Sequence, residues 1–128
     1  MRRVVRSGGF EEIGGYARAV RVANTIAVSG TAAIDAEGKA MHPGDAYAQT
    51  REAFERSIAA LRELGGGMRD VVRTRIYLAP GADWRRAVDA HRELFGETLP
   101  ANTTLYVAGF IPAGVVVEVE LDAVTTTR

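Results

Sequence analysis

The carboxy-terminal run Val115–Val124 constrains this chain more tightly than any other stretch. Val115, Val117, Val119 and Leu121 alternate with Val116, Glu118, Glu120 and Asp122. Successive side chains of a strand point to opposite faces, so an aliphatic row backs onto a row dominated by carboxylates. A strand of this kind needs a sheet covered on one face only, which antiparallel sheets tolerate and fully parallel ones rarely do. Val71–Leu78 carries the same signal: Val72, Thr74, Ile76 and Leu78 are expected toward the core, with Val71, Arg73, Arg75 and Tyr77 opposite. Pro80-Gly81 ends that strand.

Two amphipathic segments supply the cover. After His42-Pro43-Gly44, Asp45 is the expected N-cap of a helix reaching Leu64, with Tyr47, Phe54, Ile58 and Leu61 as its apolar stripe. Glu52 and Arg56 stand in the favourable i, i+4 order, and Gly65-Gly66-Gly67 closes the helix. Asp83 caps a second helix with Trp84, Val88, His91 and Phe95 as the expected buried stripe. Further strands are expected at Arg2–Ser7, Tyr16–Val22, Thr25–Thr31 and Asn102–Ala108, with Ala23-Asn24 as a hairpin turn. The order reads β-β-β-α-β-α-β-β: one α+β domain over residues 1–128, with two helices on one face of roughly six mostly antiparallel strands. The uncovered face mixes charge with β-branched residues, the composition of a subunit interface, and a homo-oligomer is expected.

Composition narrows the chemistry. The 128 residues include no cysteine, which excludes disulfides, thiol catalysis and cysteine metal sites. Lys+Arg and Asp+Glu are equal at 16 each, and a chain of zero net charge is a poor nucleic-acid binder, even with Arg2, Arg3 and Arg6 clustered. His42 and His91 are far apart and lack an acidic ligand pattern, so no metal is expected. His91, on the apolar stripe, reads as a packed histidine rather than a catalyst. No long apolar run follows Met1–Arg6 or occurs elsewhere, which predicts a soluble cytoplasmic protein without a membrane partner.

Four segments in register then resemble one family. The stretch from Ile13 through Gly14, Gly15 and Tyr16 to Val20 is similar to an "IGPY" opening, and Ala27-Val28-Ser29-Gly30 to a "TSGQ" strand end. Leu99-Pro100-Ala101-Asn102-Thr103-Thr104 resembles "FPARS", and the segment from Val117 to Val124 resembles "VEIEAIA". Together they resemble the Rid family (reactive intermediate deaminases, the YjgF/YER057c/UK114 superfamily) over nearly the whole chain. The resemblance implies a chorismate-mutase-like fold and a homotrimer with a central barrel and ligand pockets between subunits. It also implies cofactor-free hydrolysis of imines or enamines.

Two departures qualify it. Asn102 stands where the deaminating members carry Arg, whose guanidinium clamps a substrate carboxylate through two parallel hydrogen bonds. A neutral amide in its place forfeits about 1–3 kcal/mol. An arginine-lacking subgroup with altered specificity is therefore expected, acting on an imine without a carboxylate. Gly15 replaces the usual Pro, which loosens the loop before Tyr16.

The resemblance implies that Glu118 positions water or moves protons, and that Tyr16, Ser29, Asn102 and Thr103 line the ligand pocket. Arg75 is the candidate replacement anion clamp, with Arg73 and Arg18 as other options. Each has a plainer reading. Glu118 and Glu120 pair with Arg73 and Arg75; Tyr16 is a half-buried hairpin aromatic; Ser29 ends a strand; Asn102 satisfies a turn. A non-catalytic small-molecule-binding trimer or a tailoring protein of specialised metabolism stands as the alternative function, with an endoribonuclease behind it.

Overall fold

The computed structural model describes residues 1–126, so the last two positions of the expected domain lie outside it. The strands are β1 (Arg2–Val5), β2 (Ala19–Val22), β3 (Thr25–Thr31), β4 (Val71–Leu78), β5 (Ala101–Tyr106) and β6 (Val117–Val124). The helices are α1 (Phe10–Gly14), α2 (Ala46–Glu63) and α3 (Trp84–Phe95). The sheet order is β1-β2-β3-β6-β4-β5, so the alternating carboxy-terminal strand lies inside the sheet. All its pairings are antiparallel except β4 with β5, which run parallel and are joined through α3.

The sheet face bearing Val117, Val119, Leu121, Ile76 and Leu78 is buried beneath α2 and α3, with Phe54, Leu61 and Phe95 completing the core. The Phe54 and Phe95 rings meet edge to face at 5.0 Å, the arrangement favoured by their quadrupoles. Asp45 and Asp83 cap their helices as expected, accepting from the Ala48 and Arg86 amides. Ala23 takes φ 52° in the two-residue β2–β3 turn.

Four expectations are corrected. A short third helix, α1, sits between β1 and β2, where glycines on both sides made the sequence read as loop. Val71 is buried and Val72 exposed, because a bulge in the β4–β6 register inserts one residue and reverses the alternation at the strand's start. Tyr47 lies outside the core: its hydroxyl donates to Glu93, and the Arg86 guanidinium lies 4.4 Å from its ring centre. On α3 the buried positions are Ala87, Ala90 and Phe95, while Trp84 is half exposed. Small alanines let this helix approach closely, and the larger Trp84 and Val88 are turned toward β5 instead.

Fully buried Gln49 ties loops to α2. Its side-chain amide donates toward the carbonyls of Met41, His42 and Gly114 and accepts from the Val116 amide. This holds the entry to β6 against the helix. No helix among the described residues is long and apolar enough to cross a membrane.

Candidate functional site

Glu118 projects from β6 on the face away from the helices, where it lies against Gly30. A Cβ built on Gly30 would collide with Glu118 Oε2, so any larger residue at 30 would push the carboxylate out of this position. Glu118 makes no salt bridge or side-chain hydrogen bond among the described residues. Burial pushes its pKa up, the neighbouring Glu120 charge pushes the same way, and Arg18 partly offsets both. Arg18 is held by the Gly30 carbonyl (2.5 Å) and faces Glu11 at 3.9 Å. A half-buried, unpaired carboxylate that protonates more readily than an ordinary one is suited to proton transfer.

Glu120 follows the plainer reading. It accepts from Tyr77 (2.8 Å) and lies 3.6 Å from Arg75, whose guanidinium also reaches Asp122 at 3.1 Å. The Asp122 hydrogen bond and the two carboxylate charges raise the Arg75 pKa over the opposing effect of burial. As a candidate clamp, Arg75 is already engaged by two carboxylates within this chain. Arg73 donates to Thr103 (2.9 Å), which turns the Thr103 hydroxyl toward the open sheet face.

Tyr16 follows α1, whose last turn is closed by Gly15 at φ 74°. Proline cannot adopt that angle, so the departure at Gly15 is a left-handed helix cap rather than a loosened loop. Tyr16, Ser29, Glu11, Glu12, Arg2 and Arg6 line an open cavity of about 530 Å³. Ser29 donates its hydroxyl proton to the Ala17 carbonyl (2.6 Å), which fixes the segment carrying Tyr16 and leaves the Ser29 oxygen to accept. Beneath it, Glu11 is buried. Burial would raise its pKa, but hydrogen bonds from the Ser7 hydroxyl and amide, with the Arg18 charge, bring it below the usual carboxylate range.

Asn102 lies elsewhere. The parallel register sets it beside Thr74, and its amide donates to Thr74 Oγ1 at 3.0 Å. Thr74 is fully buried under α3, so Asn102 is on the helix-covered face, opposite Glu118. It borders a groove of about 550 Å³ walled by Leu78, Trp84, Val88, Leu105 and Tyr106, with Thr104 as the other polar contributor. Among the described residues, no charged side chain lines the groove. The sequence therefore named residues of two separate places: Tyr16, Ser29 and Glu118 toward one region, Asn102 at the far edge of the sheet. Trp84, Val88, Leu105 and Tyr106 were missed as groove residues. Their half-exposure is the structural signal, and a sequence does not print it. Among the described residues no group of three or more His, Asp or Glu side chains is placed to hold a metal ion.

A one-sided mixed sheet with an unpaired carboxylate, Glu118, on the open face and a neutral groove at the parallel edge defines an α+β chain of the YjgF type. The family model for endoribonuclease L-PSP matches residues 9–125. The chain belongs to that family, also called the Rid or YjgF/YER057c/UK114 family. It is 40% identical to an uncharacterised protein of Streptomyces coelicolor over 96% of this chain and 91% of that one. It is 32% identical to the 3-aminoacrylate deaminase RutC of Acinetobacter baylyi, covering 81% of this chain and 82% of the other. A 2-iminobutanoate/2-iminopropanoate deaminase of Mus musculus is 31% identical, over 88% and 82% of the two chains. A solved structure from the same superfamily in Mycobacterium tuberculosis superposes with a TM-score of 0.87 at 37% identity, covering 98% of this chain and all of the other.

Proposed function

We propose that this protein hydrolyses a neutral, apolar-substituted imine or enamine in a pocket completed by two copies of the chain. One copy contributes Glu118, Tyr16 and Ser29, and its neighbour contributes the Asn102 groove. The observation that carries this reading is the placement of Glu118 and Asn102 on opposite faces of one sheet. No single ligand reaches both within one copy, whereas adjacent copies in a homotrimer can offer opposite faces to one cavity. Kinship with an aminoacrylate deaminase and an iminobutanoate/iminopropanoate deaminase supports the reaction class.

In this mechanism Glu118 takes a proton from water as the oxygen adds to the imine carbon, and returns it to nitrogen. Collapse of the carbinolamine breaks the C–N bond, forms the carbonyl and releases ammonia. Proton transfer by a positioned carboxylate is worth about 10²–10⁴-fold in rate. Asn102 and Thr104 supply neutral hydrogen bonds and the groove supplies apolar contact, which favours a substrate without a carboxylate. Neither a metal nor a cofactor is invoked. RNA is disfavoured as a substrate: the net charge is zero, and Arg3 and Arg21 donate to the Leu64 carbonyl.

Two imines generated in place test this, one from an amino acid and one matched but lacking the carboxylate, with semicarbazide trapping to read their decay. Selective acceleration of the neutral imine is expected. Acceleration confined to the carboxylated imine overturns the specificity, and acceleration of neither overturns the activity. The absence of a cation from the groove also favours a second reading, a binding trimer without turnover. Saturable binding of the neutral imine's stable ketone analogue, without catalysis, would select it.

A further inference from the structure

His91 reads from the sequence as a core histidine, yet its ring nitrogen is part of a polar chain that ends in the groove. His91 Nε2 lies 2.7 Å from Thr74 Oγ1. Thr74 Oγ1 accepts from Asn102 Nδ2 at 3.0 Å, and Asn102 Oδ1 accepts from the Thr104 hydroxyl at 2.8 Å. Thr74 is fully buried, and the imidazole is packed against Phe54 and Phe95 at ring-centre distances of 5.6 and 4.8 Å.

A proton count sets the direction of this chain. Thr74 has one hydroxyl proton, and its oxygen already receives the Asn102 N–H. The proton must then go to His91 Nε2, which requires a neutral ring protonated on Nδ1. Burial lowers the His91 pKa, in keeping with the neutral form. If Nε2 carried the proton instead, Thr74 would accept twice and its own buried proton would have no acceptor, unless the Asn102 amide turned over to offer oxygen. The His91 tautomer and the orientation of the Asn102 amide are therefore coupled.

We propose that His91, acting through Thr74, is a positioning residue that sets which way the Asn102 amide faces the groove. An arginine would need no such device, because every polar edge of its planar guanidinium is a donor. An asparagine does, because its two ends have nearly the same shape and opposite polarity. Held as it is, Asn102 keeps its nitrogen on the Thr74 side, where it also reaches the Thr74 carbonyl at 3.4 Å, and presents its free oxygen lone pair on the Thr104 side. Inverting the amide would set its oxygen against the Thr74 carbonyl and exchange donor for acceptor, so a substrate matched to one pattern is mismatched to the other. His91 thus sets specificity without touching the ligand.

The test has an arm that needs no activity and a kinetic arm that rests on the imine-hydrolase reading. In ¹⁵N-labelled, ligand-free protein near neutral pH, nuclear magnetic resonance is expected to show His91 protonated on Nδ1 and bare on Nε2. The Asn102 side-chain amide resonances are expected to move in His91→Phe and in Thr74→Val and to return in Thr74→Ser. A proton on His91 Nε2, or Asn102 resonances indifferent to Thr74→Val, overturns the proposal. His91→Phe preserves the aromatic packing, and Thr74→Val preserves volume. With the neutral imine, each is expected to raise KM about 3- to 10-fold with kcat nearly unchanged, and neither is expected to add to Asn102→Ala. Full additivity with Asn102→Ala overturns the positioning role. Absence of turnover in the unsubstituted protein counts against the hydrolase reading alone, and the resonance arm then decides the relay.

Discussion

Glu118 is the side chain whose environment is least explained by folding. It is half buried, unpaired and pressed against a glycine, and its raised pKa marks a charge the fold holds at a cost. A carboxyl whose folded pKa exceeds its unfolded value destabilises the protein as pH rises through that interval. Glu118→Gln removes the charge and keeps the shape, so two opposite effects are expected: imine turnover falls about 10²–10⁴-fold, and Tm at neutral pH rises. Parallel kinetics and thermal melts check this, and a variant that loses both activity and stability would identify a structural residue instead. Glu11 has the opposite sign. Its folded pKa is depressed, so it contributes stability above the unfolded carboxylate range that is lost as pH falls through and below that range. Urea midpoints taken from neutral to acidic pH are expected to fall less steeply in Glu11→Gln, whose midpoint at neutral pH is already lowered.

At the scale of elements, the polar stitch matters as much as the apolar stripe. Gln49 on α2 serves three carbonyls and one amide in loops that share no secondary structure. Gln49→Leu has similar bulk and fills the space but orphans those groups, and a loss of about 2–3 kcal/mol in chemical denaturation is expected. The sequence showed α2 through its Asp45 cap, its spacing and its glycine stop, all local signals. It did not show that Gln49 is buried while Tyr47 is not, since both lie near the stripe and only the packed loops distinguish them. The same holds for α3. Alanines carry a weak hydrophobic signal, so the periodicity points to the larger Trp84 and Val88 as core, although the helix docks through Ala87 and Ala90. The bulge at Val72 escaped for a related reason: alternation predicts a face only while register is unbroken, and register belongs to the pair of strands.

At the scale of the molecule, the separation of Glu118 from Asn102 makes assembly a functional requirement of the proposed chemistry. Light scattering is expected to give about three times the 13.7 kDa chain mass at micromolar concentration, and a monomer would remove the shared pocket. Asn102→Arg restores a cation to the groove and is expected to raise kcat/KM for a carboxylated imine at least about tenfold relative to the neutral one. Competition between the two imines measures that ratio. The sequence by itself determined the α+β class, the one-sided sheet, both long helices with their caps, and the family. Those properties rest on periodicity, turn chemistry and short motifs, which act over a few residues. Tertiary structure decided which of the named residues share a surface. Strand order and the parallel β4–β5 pairing put Asn102 under α3 beside Thr74, while the antiparallel β3–β6 pairing put Glu118 against Gly30 on the other face. Such neighbours are dozens of residues apart in the chain, and only the paired sheet and the helix packed on it bring them within hydrogen-bonding distance.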